Sequence, residues 1–121
     1  MKIDSAKHLL ALHCAPAKEA LPDVEAARLA ALLPNWALEF NEQRGKLVRT
    51  FAFADYYKTL AFVNALAYVT HAQDHHPELT VTYSRCVVRY DTHSVNNGKG
   101  GLSINDFICA AKADALVAEG Q

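Results

Sequence analysis

The spacing of apolar residues along the chain switches between helical and alternating, and each switch marks an element. From Leu21 to Leu33, the residues Val24, Ala27, Leu29, Leu32 and Leu33 supply the apolar positions of a helix. Pro22 stands near its first turn, Asp23 and Glu25 sit at the positive end of its dipole, and Pro34-Asn35 ends it. Trp36, Leu38 and Phe40 then alternate with Ala37 and Glu39, the period of a half-buried strand. Beyond a polar connection from Asn41 to Gly45, Leu47, Phe51 and Phe53 share one face of a second strand, so the two are expected to form a hairpin. Asp55 to about His71 is expected to be the longest helix, with one stripe of Tyr56, Leu60, Val63 and Ala67 and another of Phe62, Leu66 and Val69. Two stripes cover more than the single face that a sheet would bury, so either another subunit or the N-terminal helix should cover the second.

A second pair of strands is expected where Leu79 to Tyr83 and Cys86 to Asp91, rich in Val, Thr and Tyr, flank a short polar break. With Ser84-Arg85 as a two-residue turn, Tyr83 faces Cys86 and His93 falls opposite His76. Opposed residues of an antiparallel pair have Cβ atoms roughly 5 Å apart. His75, His76 and His93 would then gather at the open end of the hairpin. A longer loop would slide the register by a residue without dispersing them. Pro77 restricts His76 to extended conformations and discourages the preceding helix from continuing. Ser94 to Gly101 is a loop dense in Asn and Gly, and Ser103 to about Val117 is a final helix with Phe107, Ile108, Ala110, Ala111 and Leu116 as its apolar content. The expected fold is therefore α+β, a four-stranded antiparallel sheet with helices packed on one face, in the order α-β-β-α-β-β-α. Residues 1–20 read as a flexible N-terminal arm with room for a short helix, in which His8 and His13 are solvated; 21–121 form a single domain.

Composition narrows the function classes. A chain of 121 residues can bury a core without disulfides or metal. The formal net charge of -1 offers no basic footprint for nucleic acid and no polybasic patch for a membrane, so neither partner is expected. Cys14, Cys86 and Cys109 are odd in number and lack metal-type spacing, which fits a reduced cytoplasmic setting. The apolar run Leu9 to Leu12 is too short for a signal-peptide core or a membrane span.

Imidazole is the side chain whose ordinary pKa lets it give or take a proton near neutrality, and several held together can protonate one atom while deprotonating another nearby. Singly, His75 and His76 would be solvated loop residues and His93 an ordinary strand end; their convergence raises the functional reading. Ser103-Ile104-Asn105-Asp106 fits a capping box, a role sufficient to explain Asp106 without catalysis. Asp74 is equally a turn residue. Metal binding ranks well below metal-free acid/base work: adjacent histidines in extended chain point to opposite faces, and no His-x-x-x-His or Cys-x-x-Cys pair is present.

The ordered set Asp74-His75-His76-Pro77-Glu78, Tyr83, Thr92-His93 and Gly101-Leu102-Ser103 leading to Asp106 resembles pterin-4a-carbinolamine dehydratase. The resemblance extends through Trp36, Phe51 to Tyr57 and Asn105 to Leu116, and covers about residues 21–117. It implies a four-stranded antiparallel sheet with helices on one side and a homodimer or homotetramer paired through sheet edges and the long helix. The implied reaction is loss of water from 4a-hydroxytetrahydropterin to give quinonoid dihydropterin for an aromatic amino acid hydroxylase, with no metal or organic cofactor. By the resemblance His75 is the acid/base at the leaving hydroxyl, His93 its partner in proton transfer and His76 chiefly a substrate-binding group, with Asp74, Pro77 and Asp106 binding or supporting. The chain departs from the pattern at His71, where some members have Glu, at Leu79, where some have an aromatic residue, and in the longer Ser94 to Gly101 loop. Two other functions stay open: a non-catalytic dimerisation or binding module of the same fold, or an enzyme acting elsewhere in pterin or molybdopterin metabolism.

Overall fold

The computed structural model describes residues 2–41 and 44–117. Its elements are α1 (Ala6–Ala11), α2 (Asp23–Ala30), β1 (Ala37–Asn41), β2 (Arg44–Ala52), α3 (Tyr56–Gln73), β3 (Glu78–Val81), β4 (Arg85–Tyr90) and α4 (Ile104–Asp114). The strands form one antiparallel sheet in the order β1-β2-β4-β3. Apart from α1, this is the α+β succession expected from the hydrophobic pattern.

Alternation sorts the sheet's side chains by face. Leu47, Phe51, Cys86, Val88 and Tyr90 point inward and are almost wholly buried, against Phe62 and Leu66 of α3 and Phe107, Ile108 and Ala110 of α4. Each such side chain contributes about 1.5–3 kcal/mol on burial. Rings link the layers: Phe51 lies 4.4 Å from Phe62 and 5.9 Å from Trp36, centroid to centroid. Arg49 shares the inward face; its guanidinium lies 4.1 Å from the Phe51 ring and pairs with Asp114, which also accepts the Trp36 indole N–H at 2.7 Å. The C-terminal end of α4 is thereby tied to β2 and to the entry of β1.

Several boundaries differ from expectation. Pro22 is the N-cap of α2, which begins at Asp23, and α2 ends by Ala30 because Leu32 and Leu33 tighten onto the carbonyls three residues back. Phe40, expected on a half-buried face, is 55% exposed, since β1 is a sheet edge. The connection expected at Asn41 to Gly45 is shorter: Asn41 pairs with Arg44, and Glu42 and Gln43 between them lie outside the described residues. On α3, Thr59, Phe62 and Leu66 are buried while Tyr57 and Tyr68 are exposed.

The turn at Ser84-Arg85 is a correction. The observed register pairs Val81 with Cys86 and Glu78 with Arg89, so the tight loop is Tyr83-Ser84 and His93 is not opposite His76. Tertiary contacts decide this. The Thr82 N–H donates to the Arg85 carbonyl at 2.9 Å, the Phe53 N–H to Ser84, and the Thr59 hydroxyl of α3 to the Tyr83 carbonyl, while the Tyr83 ring stacks on Tyr56. Local turn propensity loses to a loop gripped from two sides.

Of residues 1–20, expected as a flexible arm, the described segment from α1 to Ala17 packs against α4 and the loop before it. Leu9 of α1 is fully buried in the core, and Lys112 of α4 donates to the Leu10 carbonyl at 2.7 Å. His13 is exposed as expected, whereas His8 is only partly so and lies 3.8 Å from Asp4.

Candidate active site

The long helix ends where the candidate chemistry begins. Asp74 takes the left-handed conformation (φ 50°, ψ 45°) and its N–H caps the last turn of α3, which swings the chain sharply into His75. Asp tolerates this region better than most non-glycine residues. Pro77 then starts the run into β3. Consecutive side chains diverge, so His75 turns inward and is 9% exposed, while His76 turns out to solvent.

Inside, the His75 ring lies flat against Tyr90, centroids 5.9 Å apart and planes 10° apart. Its Nε2 is 2.6 Å from Oδ1 of Asp106, itself fully buried. The other carboxylate oxygen, Oδ2, accepts the Ser103 N–H and the Thr92 hydroxyl, each at 2.9 Å. The Ser103 Oγ accepts the Asn105 N–H, so the expected capping box is present in full. Because the single Thr92 hydroxyl proton goes to Asp106, the 2.7 Å contact between Thr92 and Ser103 runs from the Ser103 O–H to the Thr92 oxygen. Three donors and no acceptor thus face Asp106, the arrangement a buried carboxylate requires. The pairing also fixes the tautomer: His75 donates from Nε2, while Nδ1 bonds to none of the described side chains and is not sealed in the core.

Electrostatics follow from this geometry. Burial alone would pull His75 down, but the hydrogen bond and charge of Asp106 outweigh it, and the imidazole is held above its ordinary value. Burial pushes the Asp106 carboxyl up, against the opposing pull of His75, the Ser103 N–H and the Thr92 hydroxyl. The two upward shifts pull against each other, since a raised His75 favours imidazolium and a raised Asp106 the neutral acid. The three donors that converge on Asp106, with no acceptor for a carboxyl proton, decide for imidazolium beside carboxylate.

His93 follows Thr92, which is pinned by its hydroxyl and by a two-way bridge to Gly101. His75, His76 and His93 all line one open cleft of about 510 Å³, with Asp74 and Asp91 also in its lining. The corrected register thus leaves the gathering of the three rings intact. Asp106 lies outside the lining and reaches the cleft only through its bond to His75; Pro77 also lies outside the lining. Among the described residues, no three His, Cys, Asp or Glu side chains converge as a metal site.

Sequence reasoning missed one wall altogether. Cys14, Ala15, Pro16 and Ala17 close the cleft from the N-terminal side. The Asn105 side chain bonds both the N–H and the carbonyl of Ala15, at 3.1 and 2.6 Å; Gln73 accepts the Cys14 N–H at 2.8 Å; and Ser94 donates to the Ala17 carbonyl. Every one of these bonds spans distant parts of the chain, so no local signal announces them. Thr92 and Tyr90 also escaped notice as supports of the histidine pair.

The architecture is that of an α+β domain whose sheet and C-terminal helix present an imidazole–carboxylate pair to a histidine-lined cleft. Residues 19–116 match the family model described as pterin 4 alpha carbinolamine dehydratase, and the chain belongs to this family. A protein of Xanthomonas campestris pv. campestris strain B100, provisionally named a pterin-4-alpha-carbinolamine dehydratase, is 56% identical over 111 residues, covering 89% of each chain. A Bdellovibrio bacteriovorus protein with the same provisional name is 52% identical over 101 residues, 84% of this chain and 81% of that one. Among solved structures, one titled a transcriptional coactivator/pterin dehydratase from Brucella melitensis superposes with a TM-score of 0.71 at 27% identity, covering 83% of this chain and 100% of that one. Another, titled a pterin dehydratase-like protein and RuBisCO assembly factor of the alpha-carboxysome, has a TM-score of 0.57 at 25% identity, covering 68% and 88%.

Proposed function

We propose that the protein dehydrates 4a-hydroxytetrahydropterin to quinonoid dihydropterin by histidine acid/base catalysis. Family membership supports the reaction class, and one observation carries the mechanism: Asp106 holds Nε2 of His75, and His75 lines a cleft shared with His76 and His93. The C4a–O bond must break with a proton delivered to the departing hydroxyl, and the N5 proton must be removed as the N5=C4a bond forms. His75, favoured as imidazolium by Asp106, donates from Nδ1 to the hydroxyl. The exposed His93 accepts the N5 proton, and His76 binds the pterin. Each turnover leaves His75 neutral and His93 charged, and exchange with water in the open cleft resets both. General acid–base assistance of this kind contributes about 10²–10⁴-fold.

On this reading the product feeds reduction back to tetrahydropterin for an aromatic amino acid hydroxylase, in the cytoplasm, without metal or organic cofactor. The exposed Tyr57 and Tyr68 of α3 support assembly into a homodimer or homotetramer, which sedimentation would resolve. The test of activity is the rate at which purified protein accelerates dehydration of freshly generated 4a-hydroxytetrahydropterin, followed by ultraviolet absorbance beside folded His75→Ala and His93→Ala variants. Acceleration lost in both variants is the expected result; a folded wild type that gives none refutes the assignment for this substrate.

A binding role is the second reading, favoured by the titles of the two structural neighbours and by the exposed cluster of Tyr56, Tyr57 and Tyr83. A scaffold function would be indifferent to His75→Ala.

A further inference from the structure

We propose that Cys14 and Cys109 form an oxidisable dithiol site in the wall of the cleft, where a hydroperoxide converts the pair to a disulfide that ties the N-terminal segment to α4. This does not depend on the assigned reaction. The two Sγ atoms lie 3.4 Å apart although the residues are 95 positions apart in sequence. Closing that contact to a covalent bond needs a shortening of only about 1.4 Å. The Cys14 thiol also donates to the Asn105 carbonyl at 3.7 Å, and bonds that involve neither sulfur hold the two segments together. The Cys14 N–H is fixed by Gln73, and the next residue, Ala15, is clasped on both sides by Asn105, which precedes Cys109 by one helical turn.

Position and electrostatics divide the roles. Cys14 lines the cleft and is partly exposed, so a small peroxide can reach it; Cys109 is fully buried behind it. Contact with the Cys109 thiol lowers Cys14 most, burial works against this, and the nearby positive charge of His75 lowers it further. Cys109 is pushed the other way by Cys14 and by burial. Cys14 is therefore the attacking thiolate and Cys109 the resolving thiol. Attack of the Cys14 sulfur on a peroxide oxygen breaks the O–O bond, giving a sulfenic acid at Cys14 and an alcohol, or water from hydrogen peroxide. The Cys109 sulfur then displaces the hydroxyl from Cys14: the S–O bond breaks, the S–S bond forms, and the Cys109 proton leaves with hydroxide as water. Two thiols and one hydroperoxide yield one disulfide, one alcohol and one water, and a dithiol reductant reverses the change. Cys86, buried on the sheet, serves as an internal control.

The experiment is a hydrogen peroxide titration of the reduced, folded chain, quenched by alkylation under denaturing conditions and mapped by non-reducing peptide mass spectrometry. The expected product is a linked Cys14–Cys109 peptide pair with Cys86 alkylated in full, together with a rise in Tm that dithiothreitol abolishes. In Cys109→Ser or Cys109→Ala, whichever folds by circular dichroism, Cys14 should instead accumulate as a dimedone-trapped sulfenic acid. A linkage that forms only in urea, equal loss of Cys86, or oxidation of wild-type Cys14 without linkage would each overturn the proposal, and the wild-type result decides it even if neither variant folds.

Discussion

Replacing Asp106 with Asn separates the two functions that one carboxylate serves, because the amide has a single acceptor oxygen where the acid has two. Two donors, the Ser103 N–H and the Thr92 hydroxyl, converge on Oδ2, and one, His75, on Oδ1. The amide oxygen will take the side with two donors, leaving its NH2 toward His75. Nε2 must then accept, the proton moves to Nδ1, and Nδ1 loses its lone pair in the neutral ring. A hydrogen bond to a charged partner is worth about 1.5–3 kcal/mol. Losing it lowers the imidazolium-to-imidazole ratio at fixed pH by roughly 10- to 150-fold. The cap survives in this variant, so a fall in stability of more than about 3 kcal/mol is not expected.

Two assays follow the argument separately. Nitrogen-15 NMR of the imidazoles across pH reads tautomer and titration directly: wild-type His75 should carry its proton on Nε2 when neutral and titrate above an ordinary histidine, and Asp106→Asn should reverse the tautomer and lower the titration. The dehydration rate should fall about 10²-fold or more. If His75 in a folded Asp106→Asn protein keeps its Nε2 proton and its wild-type titration, the reasoning from donor count is wrong. Should only the rate survive intact, the pair is structural and acid catalysis lies elsewhere.

Three further outcomes test the surrounding construction. Thr92→Val deletes the hydroxyl that donates to Asp106 and strands the Ser103 proton, so chemical denaturation should show a loss of about 1–3 kcal/mol, with kcat reduced less than by Asp106→Asn. Leu9→Ala empties a fully buried position on the docked segment; steady-state kinetics should show a raised KM with little change in kcat as the wall from Cys14 to Ala17 loosens, at a stability cost of about 2–5 kcal/mol if the segment unfolds with the core. The His75–Asp106 pair also sets a pH dependence. His75 is raised in the folded state, so its stabilisation is complete below the ordinary value of 6.5 and is lost as pH rises through the folded value. The Tm advantage of wild type over His75→Gln should be larger at pH 6 than at pH 9, and a constant difference would refute the ionic pairing.

Most of the frame was legible because burial writes itself into the sequence at fixed periods. Alternation at Trp36 and Leu38 and the apolar content of α3 and α4 predicted elements that the sheet and its helices reproduce. What escaped depended on contacts that no period encodes. The Tyr83-Ser84 turn is set by Thr59, Tyr56 and Phe53, each more than twenty residues away. Residues 1–20 look polar and Ala-rich, yet one fully buried leucine and the side chains of Asn105 and Gln73 suffice to set Cys14 to Ala17 as a wall of the cleft.

Asp106 shows why the candidate site was only half readable. From sequence, a capping box and a site carboxylate are competing explanations of the same residue, and the cap is sufficient alone. In three dimensions they use different oxygens. The cap and Thr92 fix Oδ2, which locks the carboxylate plane and aims Oδ1 at His75 with no further side-chain freedom to remove. The helix start therefore supplies the rigidity on which the histidine's orientation, tautomer and raised proton affinity all depend. Thr92→Val, which removes one of the two donors on Oδ2, should therefore disturb His75 titration as well as stability. A Thr92→Val protein that loses stability yet keeps wild-type His75 titration would show that the coupling between this anchor and the imidazole is not real.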